Sequence, residues 1–270
     1  MRTRTISEPS GFTLLELMVA ASVMLLLLGL ALNLLAASSR IFRGSGNGMS
    51  AATAARFALD VIGNDWASRV RREELPVNFI SQPGNDEIRF YGAVPSVLPS
   101  GADARGIALV AYRVRTASGL ERAASGAGWS GSFPSLPFAV PTAAQTAGEP
   151  ADADFDVASP AVFRLEVCVL DRSGNILAAA PQVPRDFHRN VAAVVASVAV
   201  MDAESRKKLS SPEAALDGLV GQMKDAADGE IPAQAWLRQF DDIAGLSRRT
   251  GIPAEALAAV RIVERVYYVP

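Results

Sequence analysis

Residues 10–40 read SGFTLLELMVAASVMLLLLGLALNLLAASSR. From Phe12 to Ala37 the only strongly polar side chains are Glu16 and Asn33, with Thr13 and Ser22 easily tolerated. A helix spans a bilayer with about 20 apolar residues, so the run predicts a transmembrane helix over 12–39. Two ordinary readings of such a run stay open on these residues. One is a secretory signal peptide, with Arg2 and Arg4 as its basic region and Ala36–Ser38 as a cleavage site. The other is a plain signal anchor. The apolar region of a signal peptide is usually about 7–15 residues, and this one is longer. Neither reading explains Glu16. A carboxylate in a spanning helix costs about 2.5–3.5 kcal/mol at mid-bilayer and less near the edge, and no cationic side chain follows within two turns.

A cut between Gly11 and Phe12 supplies a partner. Phe12 then carries a free α-amino group at the start of the helix, four residues before Glu16. When helices stagger side by side in lipid, the positive terminus of one chain can neutralise the carboxylate of its neighbour. The helix N-terminus itself also favours a nearby carboxylate. The segment GFTLLELMVA (11–20) resembles the processing site of type IV pilins and type II secretion pseudopilins. The resemblance implies that a prepilin peptidase cuts after Gly11 and N-methylates Phe12, and that Glu16 is the assembly glutamate. It also implies orientation, with the leader in the cytoplasm. The flanking charges do not decide this, because Arg2 and Arg4 precede the run while Arg40 and Arg43 follow it.

Totals exclude several function classes. The 270 residues carry a formal net charge of -2, and Lys and Arg are not gathered into a basic face, so nucleic acid is not predicted as a partner. The single cysteine, Cys168, permits no internal disulfide, and with the single histidine, His188, it cannot build an ordinary zinc site.

Beyond the apolar run, Ala52, Ala55, Leu59, Ile62, Trp66 and Val70 recur at helical spacing and make one apolar stripe. No proline stands between Pro9 and Pro76, so one long helix from Phe12 to about Arg72 is expected, bent or frayed at Gly44, Gly46 and Gly48. Strand patterns follow. DEIRFYGAV (86–94) has Ile88 and Phe90 on one face, and IALVAYRVR (107–115), TASG and LERAAS read as a hairpin. FRLEVCVLD (163–171) puts Phe163, Leu165, Val167 and Val169 on one face and Arg164 and Glu166 on the other. RSGN then turns the chain, and NVAAVVASVAVMD (190–202) and IVERVYYV (262–269) read as further strands. Antiparallel strands with one apolar face need a cover, and the helical stripe is the expected one.

Residues 123–161, rich in Gly, Ser, Ala and Pro, read as a surface loop insertion pinned by Trp129, Phe133 or Phe138. Residues 211–260 read as a helical insertion before the last strand. Ser211 is placed to cap, Pro212 stands at the first helical position, and Leu216, Leu219, Val220 and Met223 share a face. Trp236, Leu237, Phe240 and Ile243 mark a second helix, and a short third one follows Pro253. The expected organisation is a leader over 1–11, an assembly helix over 12–39, its continuation over 40–75 and an α+β head over 76–270. This start, long helix, hairpin and large head resemble J-type minor pseudopilins and the Verru_Chthon cassette pilin-like proteins. Many major pilins carry a proline midway along the apolar helix; here Asn33 stands in that region, which favours a minor subunit.

The sequence shows no catalytic cluster. Cys168 sits in an alternating strand and His188 in an expected loop beside Arg185 and Arg189. RVRREE (69–74) and ESRKK (204–208) read as solvated ends. Asp152, Asp154 and Asp156 alternate like the start of a calcium loop, but Val157 and Phe163 stand where such a loop needs glycine and glutamate. The expectation is therefore no cofactor, with these three aspartates as the sole, weak calcium candidates. What the resemblance implies is a non-enzymatic subunit held in the inner membrane by a single pass. Its head lies in the periplasm, and its partners are other pilin-like subunits, the prepilin peptidase and the membrane. The alternative is a monomeric, membrane-anchored periplasmic binding protein with an uncleaved anchor.

Overall fold

The computed structural model describes residues 14, 18, 22–25, 28, 49–73, 75–95, 104–128, 150–181 and 183–269. The chain divides into two units, Met1–Gly46 and Asn47–Pro270. In the first, the described residues are helical, and Leu14, Met18, Val23, Met24, Leu25 and Leu28 expose their side chains. Among the described residues no helix is long and apolar enough to cross a membrane. The predicted span, the glycines at 44, 46 and 48, and Trp129, Phe133 and Phe138 fall wholly or mostly outside the described residues.

The second unit is α+β, with two antiparallel sheets where one was expected. Helix α1 covers 49–67. The first sheet has the order β1-β2-β3-β4-β5, from Val77–Ile80, Glu87–Gly92, Ala104–Arg115, Gly119–Gly128 and Phe155–Ser159. The second has the order β7-β6-β8-β9, where β6 is Val162–Asp171, β7 Ile176–Leu177, β8 Val191–Val200 and β9 Arg261–Tyr268. The described part of the expected loop insertion therefore begins and ends as paired strand, with Ala123–Gly128 in β4 and residues 155–159 in β5.

Helix α1 ends at 67, short of Arg72, and Arg69 already bridges to Gly92. Its buried stripe is Ala51, Ala55, Ala58, Leu59, Ile62 and Trp66. These side chains join Phe79, Ile88, Phe90 and Tyr112 of the first sheet and Leu165, Val167, Val194 and Val198 of the second in one apolar cluster. The helix thus covers both sheets. The β3–β4 turn requires Gly119: its φ is +98°, and a Cβ there would stand 2.3 Å from the Ser159 carbonyl oxygen.

Between β8 and β9 lie α3 (Ala203–Arg206), α4 (Pro212–Val220), α5 (Pro232–Phe240), α6 (Ile243–Thr250) and α7 (Ala254–Leu257). The expected second helix is thus broken in two, with Asp242 capping the new start by accepting from the Gly245 amide. Leu216, Leu219, Val220 and Met223 are buried as their spacing predicted, around a fully buried Trp236. Leu237 instead faces out, 53 % exposed. This second cluster packs on the opposite face of the second sheet, against Phe163, Ala199 and Met201. Phe163 was expected on the same face as Leu165. The register of β6 against β8 slips between Val162 and Arg164, and this one-residue bulge sends Phe163 to the other face while Val162 takes its place in the first cluster.

Candidate functional site

Gly11, Phe12 and Glu16 lie outside the described residues. Of their neighbours, Leu14 is helical and 78 % exposed, with Met18, Met24 and Leu25 also bare.

The three aspartates do not converge. Asp152 accepts from Arg113 at 2.6 Å and Arg115 at 2.7 Å, and the two guanidinium hydrogen bonds, Arg115 first, hold its carboxyl down at about 2. Asp154 accepts from the Ala151 amide within its own 3-10 turn, and Asp156 lies in β5, paired with Arg122 in the ladder. Among the described residues no group of three or more His, Cys, Asp or Glu side chains could hold a metal ion.

Cys168 is buried in β6, and burial, with nearby Glu264, Glu166 and Asp86, pushes its thiol up to about 12. At neutral pH it is therefore no nucleophile. His188 belongs to helix α2 (Pro184–Asn190), not to a loop; Pro184 at the first helical position starts that helix. Its charged neighbours are Arg69 and Glu73, so the two residues share no environment.

Arg164 and Glu166 are completely buried, not solvated. The helical insertion covers their face of the sheet. Arg164 Nη2 lies 2.7 Å from Glu166 Oε2 and 2.7 Å from Asp225 Oδ1, with its guanidinium over the Trp236 ring. Glu166 Oε1 accepts from the Ala226 amide at 2.9 Å. Here, among the described residues, β6 has no strand beyond it, because β7 pairs with Val169 and Leu170. The β1–β2 turn takes that place: Asn85 Oδ1 accepts from the Leu165 amide, Asp86 Oδ2 accepts from the Val167 amide, and the Asp86 amide donates to the Leu165 carbonyl. Buried backbone groups must find partners, and two side chains of a turn provide them. A cavity of about 270 Å3 opens beside Asp86, but both carboxylate oxygens of that residue already accept backbone amides.

Tyr112 donates to Asp65 of α1, whose carboxylate also accepts from Arg122 Nε at 2.6 Å. Burial and this carboxylate raise the phenol's pKa, so Tyr112 stays neutral and ties helix to sheet. Arg206, expected to be solvated, reaches the carbonyls of Pro160 and Thr116 and locks the β3–β4 turn. A second cavity, about 330 Å3, opens between α1 and β9, with Trp66, Arg69, Arg71, Arg265 and Tyr268 among its lining residues. Arg69 is 5 % exposed and lies 3.9 Å above the Trp66 ring. Burial, and then the charge of Arg71, lower its pKa to about 10. In the sequence, Arg69 and Arg71 read only as part of a charged run; the groove needs residues of α1 and β9 that lie far apart along the chain.

No family model matches the chain, and no curated protein does. Among solved structures, a type IV-like pilin from Thermus thermophilus matches 81 % of this chain and 93 % of its own, at 12 % identity and a TM-score of 0.40.

Proposed function

We propose that this chain is a non-enzymatic, pilin-like assembly subunit of the minor-pseudopilin kind. It is cut between Gly11 and Phe12, methylated at Phe12, and built into a type IV pilus or type II secretion pseudopilus through the helix carrying Glu16. Prepilin peptidase processes it in the inner membrane, and the head stands in the periplasm. The observation that carries this reading is a carboxylate inside an apolar run, preceded by a glycine–phenylalanine junction at the spacing that would give it a cationic partner. Two features support it. The described side chains of the run are bare, as expected of a surface meant for lipid or for other helices. The head is α+β, with α1 laid on antiparallel strands, the cover expected from its apolar stripe.

The rival is a monomeric anchored binding protein, favoured by the arginine-lined groove between α1 and β9. Glu16→Ala separates the two. In an assembling subunit the variant is processed normally but fails to enter sheared filaments or to cross-link to neighbouring subunits. In a simple tether it behaves like the wild type.

A further inference from the structure

Residues 221–231 join α4 to α5 outside any named helix or strand, and they lie over a buried cluster of charge. Arg164 and Glu166 are fully buried in β6, and the Arg164 Nη2 atom serves both the Glu166 and the Asp225 carboxylates, each at 2.7 Å. Asp86, in the β1–β2 turn, is a third carboxylate whose charge reaches both Glu166 and Arg164. Among the described residues, Arg164 Nε and Nη1 and Glu166 Oε2 find no hydrogen-bond partner. Three carboxylates thus share one guanidinium where little else solvates them, and a full set of negative charges is costly there. The charged and titratable groups on the surrounding elements do not offset this. On β6 itself Cys168 is buried. On β9, Glu264 stands in register with Ser197, and through it with Glu166, and adds negative charge. On α4 Asp217 is held by the Thr116 hydroxyl, on α5 Arg238 pairs with Glu230, and Lys224 of the segment itself is exposed.

The segment is tied down mainly by polar contacts. The Ala226 amide donates to Glu166 Oε1 at 2.9 Å, the Gly84 amide donates to Asp225 at 3.1 Å, and Trp236 Nε1 donates to the Lys224 carbonyl at 2.7 Å. At its far end the Gly229 amide donates to the Ile176 carbonyl at 2.8 Å. Met223 is its one buried residue, and the Asp225 side chain, in contact with Arg164, is 49 % exposed. An exposed, irregular segment with so little apolar burial opens at a lower free energy than the sheet beneath it. Opening admits water to Glu166.

We infer that residues 221–231 form a proton-held strap: with Glu166 protonated the strap stays closed over β6, and loss of that proton lifts it while both sheets remain folded. The inference stands whether or not the head enters a filament. Burial, then the charge of Asp86, push the Glu166 carboxyl from 4.5 up to about 8 in the closed form. The closed strap therefore holds a proton that the opened, hydrated form releases, so opening is least favourable at low pH and is promoted as pH rises to about 8. Hydrogen exchange read by mass spectrometry on the full-length protein in detergent micelles, corrected for the intrinsic pH dependence of exchange, tests this. From pH 6 to pH 9 the corrected exchange of peptides covering 221–231 rises about 30-fold or more, while β8 stays the better protected at both pH values. Glu166→Gln keeps an oxygen for the Ala226 amide but cannot titrate, and its strap is equally protected at both pH values. Asp225→Asn, at a half-exposed position where folding is not at stake, removes a charge that helps to hold the Glu166 proton, and its exchange levels off at a lower pH than in the wild type. The inference is overturned if the strap is no less protected than β8, if its corrected exchange does not change with pH, or if Glu166→Gln retains the wild-type pH dependence.

Discussion

Arg164 shows how a residue can defeat a pattern. Alternation along β6 assigns Arg164 and Glu166 to the face opposite the apolar one, and the structure agrees; that face, however, lies beneath α4 and α5. Hydropathy reads which face a side chain takes but not what covers that face. With its Glu166 and Asp225 partners in place, Arg164 is compensated. Arg164→Leu should strand the Glu166 carboxylate and destabilise the head by about 3–5 kcal/mol, measured by urea unfolding at pH 9, where Glu166 is ionised in the wild type. Titration gives a second test at this scale. Burial, then the Asp86 charge, push Glu166 from 4.5 up to about 8; burial pushes Asp86 from 3.8 up to about 6. In both cases the folded state holds the proton more tightly than the unfolded chain. Stability is therefore full below the ordinary carboxyl range and falls as pH rises from about 4 to about 8. Unfolding at pH 5 and pH 9 should show the loss at pH 9, and Glu166→Gln should flatten the upper part of the curve. A head more stable at pH 9 would contradict the assignment.

Among elements, α1 and α4 were legible because burial on one face leaves a 3.6-residue period that nothing interrupts. The end of α1 was not, because Val70 continues the period although the backbone at Arg69 has already turned to bridge Gly92. The bulge at Phe163 left no trace in the sequence either: alternation looks the same whether or not one residue is squeezed out of register. The seam of α1 against β9 rests on a close approach. A Cβ on Gly63 would meet Tyr267 Cε1 at 2.9 Å, and the Tyr267 hydroxyl donates to the Leu59 carbonyl at 2.6 Å, so the ring cannot swing aside freely. Gly63→Leu is expected to cost about 1–3 kcal/mol by overpacking, although leucine suits a helix better than glycine does. In the helical insertion, Trp236 fills the second core and donates to the Lys224 carbonyl at 2.7 Å. Trp236→Ala should cost about 3–5 kcal/mol, read as a lowered thermal midpoint.

At the scale of the whole molecule, two apolar systems behave differently. The head closes its own cores on both faces of the second sheet, while the described side chains at Leu14, Met18, Met24 and Leu25 are left bare. Bare side chains at these described positions are what the proposed packing of the helix against lipid or sister helices requires. The proposed Gly11–Phe12 junction and Glu16 rest on local chemistry, held within six consecutive positions, and lie outside the described residues. The groove was not legible in the sequence, since it joins residues that only folding brings together. The central claim is that a new amino terminus is created to meet Glu16. Mass spectrometry of the amino-terminal peptide from membrane-purified protein tests it most directly. A peptide beginning at Phe12 with one added methyl group is the predicted result; a peptide beginning at Met1 or at Ser39 would contradict it.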